Sequence, residues 1–299
     1  MPRALVTGSA GFIGGALVRH LLAHDWETHA FLGPTCKVEA LDEVKNQVRC
    51  HFHDGTTQGM LGILDKVKPQ VVFHLASLFL SDHQPTEIEA LVASNILLST
   101  QLAEAMACTG AARLVNTGTS WQHYHQADYR PVNLYAATKQ AFEDILAYYH
   151  DARGLSHITL KLFDTYGPRD PRRKLVNLLL DSARSGAVLD LSPGEQVLDL
   201  LHVDDVVAAF RVAGERLLAS EEPLCETYLL GGTRLTVRDL ADCIARATGK
   251  PLLAQWGGRP YRPREVMDPV APGDALPGWT PGVGLEKGLS DAFSALEQA

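Results

Sequence analysis

Short apolar runs alternate with longer stretches of helical periodicity through the first half of the chain. Arg3 to Val6, Thr28 to Leu32, Val48 to His53, Val71 to His74, Arg113 to Thr117 and Ile158 to Phe163 are short runs that read as strands. Phe12 to Ala23, Thr86 to Cys108 and Leu134 to Asp151 place apolar residues at helical spacing, which predicts helices there. Strands alternating with helices make a parallel sheet covered on both faces. Right-handed crossovers then give an α/β, doubly wound sheet with its ligand at the carboxyl ends of the strands.

After Gly167 the texture changes. Pro168 to Arg173 is a polar loop, and the later chain is richer in Pro and Gly. Thr236 followed three residues on by Asp239 is close to a capping box and opens a helix over Val237 to Thr248, which Gly249 ends as a C-cap. No internal repeat or low-complexity segment is visible.

The first strand runs directly into Thr7-Gly8-Ser9-Ala10-Gly11-Phe12-Ile13-Gly14. Without side chains, Gly8 and Gly11 let backbone approach phosphates, and Gly14 lets helix and strand pack closely. The helix beginning at Phe12 presents unpaired N–H groups and partial positive charge to an anion. The turn therefore predicts a pyrophosphate site, although its Gly-x-x-Gly-x-x-Gly spacing differs from the simplest dinucleotide fingerprint.

Tyr135 and Lys139 stand four residues apart in a predicted helix and so share a face. An ammonium beside a phenol favours phenolate, which makes the pair a candidate for general acid–base work.

Composition narrows the partners. The 299-residue chain is 46% hydrophobic, enough for a sizeable core, and its formal charge of -8 argues against nucleic acid or an anionic membrane. An anionic ligand must then be held by local donors. Cys36, Cys50, Cys108, Cys225 and Cys243 are odd in number and scattered, which speaks against a disulfide framework or a zinc site and for a reducing cytoplasm. The glycine turn interrupts the N-terminal apolar stretch, so no secretory signal is expected, nor is an apolar stretch long enough to span a bilayer.

Further motifs follow in order: His74-Leu75-Ala76, Asn95 within Ser94-Asn95-Ile96, Leu162 to Pro168, Gly194-Glu195-Gln196, His202-Val203-Asp204-Asp205-Val206, Leu276 to Pro281, and Leu285 to Leu289. With the glycine turn and Tyr135/Lys139, the chain resembles the extended short-chain dehydrogenases/reductases over nearly its whole length. Within them it resembles the nucleotide-sugar-modifying enzymes. The resemblance implies a Rossmann-type domain, residues 1–167 and 198–233, interleaved with a smaller C-terminal substrate domain, residues 168–197 and 234–299. It also implies a homodimer paired through the helices Thr86 to Cys108 and Leu134 to Asp151, the second with Leu134, Ala137, Ala141 and Ile145 along one side.

For the site, register with the family puts Thr119 at the catalytic Ser/Thr position, with Ser120 the competing assignment. Tyr135 would exchange the proton, and Lys139 would also hold the nicotinamide ribose. Gly8, Gly11, Phe12, Ile13, Gly14, Leu75, Ala76 and Asn95 would contact the dinucleotide, and Asp54 would meet the adenine amino group. Ser120, Trp121, Asn177 and Gln196 are implied substrate contacts. In the loop from Ser192 to Asp199, Leu198 stands where sugar-nucleotide epimerases carry a diphosphate-gripping Arg, which leaves Arg262 and Arg264 as candidates. No metal is implied.

An NAD enzyme usually ends its second strand with an acid for the ribose hydroxyl. Here the chain reads Phe31-Leu32-Gly33-Pro34, which favours NADP(H) while leaving NAD(H) possible, and Lys37 is a candidate partner for a 2′-phosphate. The wording from Asn116 to Gln122, from Asn133 to Lys139 and from Ser192 to Gln196 resembles the CDP-abequose synthase branch, whose members reduce the C4 ketone of a nucleotide-linked deoxyhexulose. A 4-epimerase with tightly held NAD is the alternative. A 4,6-type dehydratase would need an Asp-Glu pair after Thr119, where Ser120-Trp121 stands. A non-catalytic dinucleotide-binding protein would be expected to have lost the Tyr-x-x-x-Lys pair.

Overall fold

In a computed structural model that describes residues 1–34, 36 and 38–298, seven strands form one parallel sheet. Lys37 lies outside the described residues. In chain order the large unit begins with β1 (Arg3–Thr7), α1 (Phe12–Ala23), β2 (Glu27–Leu32), β3 (Arg49–Phe52), α2 (Thr57–Val67) and β4 (Val71–His74). A long helix follows in pieces: a 3₁₀ turn at Pro85–Glu87, α3 (Ile88–Val92), a π turn at Ala93–Leu97, and α4 (Leu98–Thr109). Then come β5 (Arg113–Thr119), α5 (Leu134–Arg153) and β6 (Ser156–Leu162).

The smaller elements are β7 (Asp164–Tyr166), α6 (Leu175–Ser185), β8 (Leu189–Leu191) and β9 (Val197–His202). The chain returns to the large sheet through α7 (Val203–Ala219) and β10 (Cys225–Leu230). It finishes with β11 (Thr233–Thr236), α8 (Val237–Thr248), β12 (Ala254–Trp256) and α9 (Leu285–Glu297).

The strand order β10-β6-β5-β4-β1-β2-β3 reverses direction between β1 and β4, so the carboxyl ends of those two strands frame a crevice. One face of the sheet is covered by α1 and α7, whose Leu17, Val18, Leu21, Val206 and Phe210 are fully buried. The other is covered by α2, α4 and α5 through Met60, Leu64, Leu102, Met106, Phe142 and Leu146. Each such side chain contributes about 1.5–3 kcal/mol of burial. Near-continuous apolar strands are what a sheet buried on both faces requires.

A third core gathers Tyr166, Leu179, Leu200, Leu240, Ile244, Leu289 and Phe293 around a three-stranded sheet, β11-β9-β7. Strands β7 and β9, which the sequence division assigns almost wholly to the first unit, therefore pair with each other in the small sheet. Residues 203–230 do return to the large one. Thr236 caps α8 with the reciprocal Asp239 bonds its spacing predicts, and Gly249 closes it at φ +66°.

An 18-residue window of the helix Pro85–Thr109 has a mean hydropathy of 1.3, and the helix is long and apolar enough to cross a membrane by length and composition alone, although Ser94, Asn95, Ser99, Thr100 and Gln101 interrupt its apolar residues. Here Leu91, Leu102, Ala103, Ala105 and Met106 are buried in the fold, the last four in the core shared with α2 and α5.

Candidate active site

The glycine turn between β1 and α1 is built as its residues predict. Gly8 has φ +67°, and a Cβ there would lie 2.7 Å from the Ala76 amide nitrogen. A Cβ on Gly14 would lie 2.1 Å from the Gly8 carbonyl oxygen. Gly11 is the N-cap of α1 and supplies no side-chain acceptor, so the helix N-terminus stays open to an anion. This cradle, which a Cβ would fill, fits the pyrophosphate of a dinucleotide.

Thr7 fixes the opposite wall. Its hydroxyl accepts the N–H groups of Leu75 and Ala76, each at 3.1 Å, and donates to His74 Nδ1 at 2.8 Å. His74 Nε2–H is left to face Ser99 Oγ at 2.9 Å. Burial then pushes the His74 pKa down to about 3, so the ring stays neutral.

A cleft of about 230 Å³ runs from Gly8, Gly11, Phe12, Ile13 and Gly14 past Leu75 to Thr119, Tyr135 and Lys139. Thr119 is the last residue of β5 rather than part of the loop beyond it. Its hydroxyl accepts the Trp121 N–H at 3.3 Å, which leaves its own proton to donate. Asn133 caps α5 through Ala136 N at 2.9 Å, which places Tyr135 and Lys139 in its first two turns.

The expected tuning of the pair is reversed. Burial pushes the Tyr135 phenol up to about 12, only partly opposed by the Ser77 hydroxyl and the Arg172 charge. Burial likewise lowers Lys139 to about 8, with Glu143 working against it. Tyr135 is thus a neutral proton donor across the physiological range, and the cation acting on it is Arg172.

A second cavity of about 730 Å³ adjoins the first, and the two share Ser120, Trp121, Phe163, Asp164, Arg172 and Lys174. Lys174 sits 4.0 Å above the Phe79 ring. Arg172 is held by both oxygens of Asp170 at 2.7 Å and stacks 4.6 Å over Phe12. Burial raises the Asp164 carboxyl above its ordinary range, while Lys174, Arg262 and Arg172 pull it back. Gln196 lines the larger cavity, as do Leu198 and Arg262. The Arg262 guanidinium is gripped by Glu265 at 2.7 and 3.0 Å.

Five expected site residues stand off these walls. Arg264 donates to the carbonyls of Val132 and Pro131 at 2.8 and 2.7 Å and braces the loop instead. Asn177 donates to the carbonyls of Asp170 and Arg172. Asp54 is exposed and accepts from the Thr56 N–H and hydroxyl, at the start of α2. Ala76 supports Gly8 from below. Asn95, in the π turn, accepts from Leu78 N and Ser77 and donates to Leu78 O and Thr138. It therefore clamps the cleft's edge to α5 without reaching into it. Arg172, Lys174 and Asp164 were not singled out from sequence. The basic run Arg172-Arg173-Lys174 in an acidic chain was the available signal.

The chain is 26% identical over 270 residues to a CDP-abequose synthase of Yersinia pseudotuberculosis, covering 89% of this chain and 91% of that one. It is 29% identical over 311 residues to a UDP-glucose 4-epimerase of Mycolicibacterium smegmatis, covering 96% of each. The solved UDP-glucose 4-epimerase of Thermus thermophilus in complex with NAD superposes with a TM-score of 0.84 at 28% identity, over 99% of both chains. The family described as the NAD dependent epimerase/dehydratase family matches residues 4–231, the span that holds β1, the glycine turn, Thr119, Tyr135, Lys139 and the return to β10, and to that family this chain belongs.

Proposed function

We propose that this protein uses a nicotinamide dinucleotide, with NADPH preferred, to reduce the C4 ketone of a nucleotide-linked deoxyhexulose. The observation that carries the reading is that Thr119, Tyr135 and Lys139 line one end of the cleft that begins at the glycine turn, where it joins the larger cavity at Ser120, Trp121 and Lys174. When bound, the dinucleotide supplies the hydride.

The chain's residues do the rest. Gly8, Gly11 and the N-terminus of α1 hold the pyrophosphate, and Lys139 holds the nicotinamide ribose. Thr119 donates a hydrogen bond to the ketone oxygen, and Tyr135 delivers the proton as that oxygen gains charge. The larger cavity takes the nucleotide and sugar. Arg172, Arg173, Lys174, Arg259 and Arg262 on its wall supply local positive charge for a diphosphate despite the acidic whole.

The preference for NADPH rests on the end of β2, where Leu32 and Gly33 place no carboxylate against a 2′-phosphate. The five cysteines are free, which suits a reducing cytoplasm. A 4-epimerase is the second reading, supported by relatives of that name. An epimerase returns its hydride to the same sugar and gains from never releasing NAD.

Incubating the protein with NADPH and a panel of nucleotide-4-keto-deoxy sugars, and identifying the product sugar, separates the two. Stoichiometric NADPH consumption supports the reductase. Co-purified NAD at full occupancy, with C4 inversion and no net consumption, transfers the function to the epimerase.

A further inference from the structure

Behind Thr119 lies a buried polar clamp that the chemistry above does not use. Gln122 is wholly buried. Its Oε1 accepts the Thr119 N–H at 2.9 Å, and its Nε2 donates to Glu143 Oε1 at 2.9 Å and Gln140 Oε1 at 2.7 Å. The second Glu143 oxygen pairs with Lys161 Nζ at 3.1 Å, with the Lys161 side chain buried and that of Glu143 mostly so. Lys161 also donates to His123 Nε2 at 3.0 Å, because the His123 Nδ1–H is spent on the Ala127 carbonyl. Gly118 makes the room: a Cβ there would lie 2.7 Å from Lys161 Cγ and 2.9 Å from Glu143 Oε1.

The clamp has a direction. Glu143 stands on α5 one turn beyond Lys139, which is one turn beyond Tyr135, while Gln122 reaches the last residue of β5. It therefore joins the element carrying the phenol to the one carrying the hydroxyl. We propose that Gln122 and Glu143 are positioning residues that hold the Thr119 hydroxyl in register with Tyr135. The inference rests on the proposed roles of Thr119 and Tyr135. A buried ion pair is seldom needed for stability alone, and apolar replacements of similar size often serve as well. A displacement of about 1 Å at a reacting group, by contrast, can cost roughly a hundredfold in rate.

The test uses Gln122→Met, which removes the clamp's hydrogen bonds at similar volume. The proposal expects a turnover loss of roughly tenfold to a hundredfold, with dinucleotide affinity and the KM for the sugar nucleotide nearly unchanged and the Thr119 amide exchanging its hydrogen faster. It also expects Thr119→Ala/Gln122→Met to be no slower than Thr119→Ala, because the clamp acts through Thr119. Additive losses, or unaltered turnover, overturn it.

If Gln122→Met does not fold, Glu143→Leu/Lys161→Met replaces the ion pair with apolar bulk and leaves Gln122 only one of its two acceptors, Gln140, and the same pattern is required of it. Wild type that turns over neither a 4-keto sugar nor a 4-epimer pair refutes the proposed function. The Thr119 amide exchange rate then decides the clamp by itself, and an unchanged rate overturns it.

Discussion

At the scale of single residues, Tyr135 and Lys139 are set by burial. With the phenol pushed up to about 12, Tyr135 keeps its proton at working pH. Tyr135→Phe should therefore abolish turnover while leaving dinucleotide binding and melting temperature close to wild type, as steady-state assay, ligand titration and a thermal scan would show. Normal turnover in that variant would move the proton to Asp164, the one carboxyl shared by both cavities among the described residues. Lys139 is an ammonium below about pH 8 and loses its proton above it, so kcat/KM should fall on the alkaline side near that value. Lys139→Met should erase that limb and weaken cofactor binding, which a pH–rate profile and a titration would show.

Cofactor choice is also a matter of one or two side chains. Leu32 is buried in the main core, so an acid belongs at Gly33 instead. A Cβ there makes ordinary contacts, 3.5 Å to Cys36 Sγ and 3.8 Å to His53 Nε2. Gly33→Arg should tighten NADPH, and Gly33→Asp should shift preference toward NADH, in the ratio of kcat/KM values for the two cofactors.

At the scale of elements, the glycine turn and the helices around it divide into positions that tolerate a methyl group and positions that do not. Gly8→Ala would set a Cβ against Ala76 from a left-handed backbone, so dinucleotide affinity should fall at least roughly tenfold. Gly62 lies on the exposed face of α2 with nothing near its absent Cβ. Gly62→Ala should raise stability by about 1 kcal/mol and leave activity alone. Chemical denaturation and a binding titration of both variants check the pair. Only the first change touches the cradle, so a reversal of these outcomes would reject the cradle as a phosphate site.

At the scale of the molecule, buried neutral histidines couple the fold to pH. His74 and His157 are held near pKa values of about 3 and 4 by burial, against 6.5 when exposed. The unfolded chain therefore binds more protons than the native one between those limits, and stability falls as pH drops through that window. Each contributes about 2 kcal/mol of loss by pH 5. Denaturant midpoints at pH 7 and pH 5 should show it before the carboxylates titrate. On α3, the π turn and α5, Val92, Leu97 and Tyr148 are exposed apolar side chains. Pairing with a second copy through these helices is expected, and a monomeric mass at micromolar concentration would sink that idea.

The order of elements, the glycine cradle and the Tyr135–Lys139 helix were determined by local pattern. Periodicity, capping and backbone permissiveness act over a few residues, so one short stretch of chain carries each of them. Tertiary structure alone decided which side chains meet. Arg264 and Asn177 carry suitable groups but spend them on nearby carbonyls, while Arg172 and Lys174 come to the junction of the cavities because the chain turns there into the small sheet. The charge states were decided there too. An ammonium four residues from a phenol lowers its pKa in isolation, but desolvation depends on everything packed around the pair, and here it outweighs the opposing Ser77 hydroxyl and Arg172 charge.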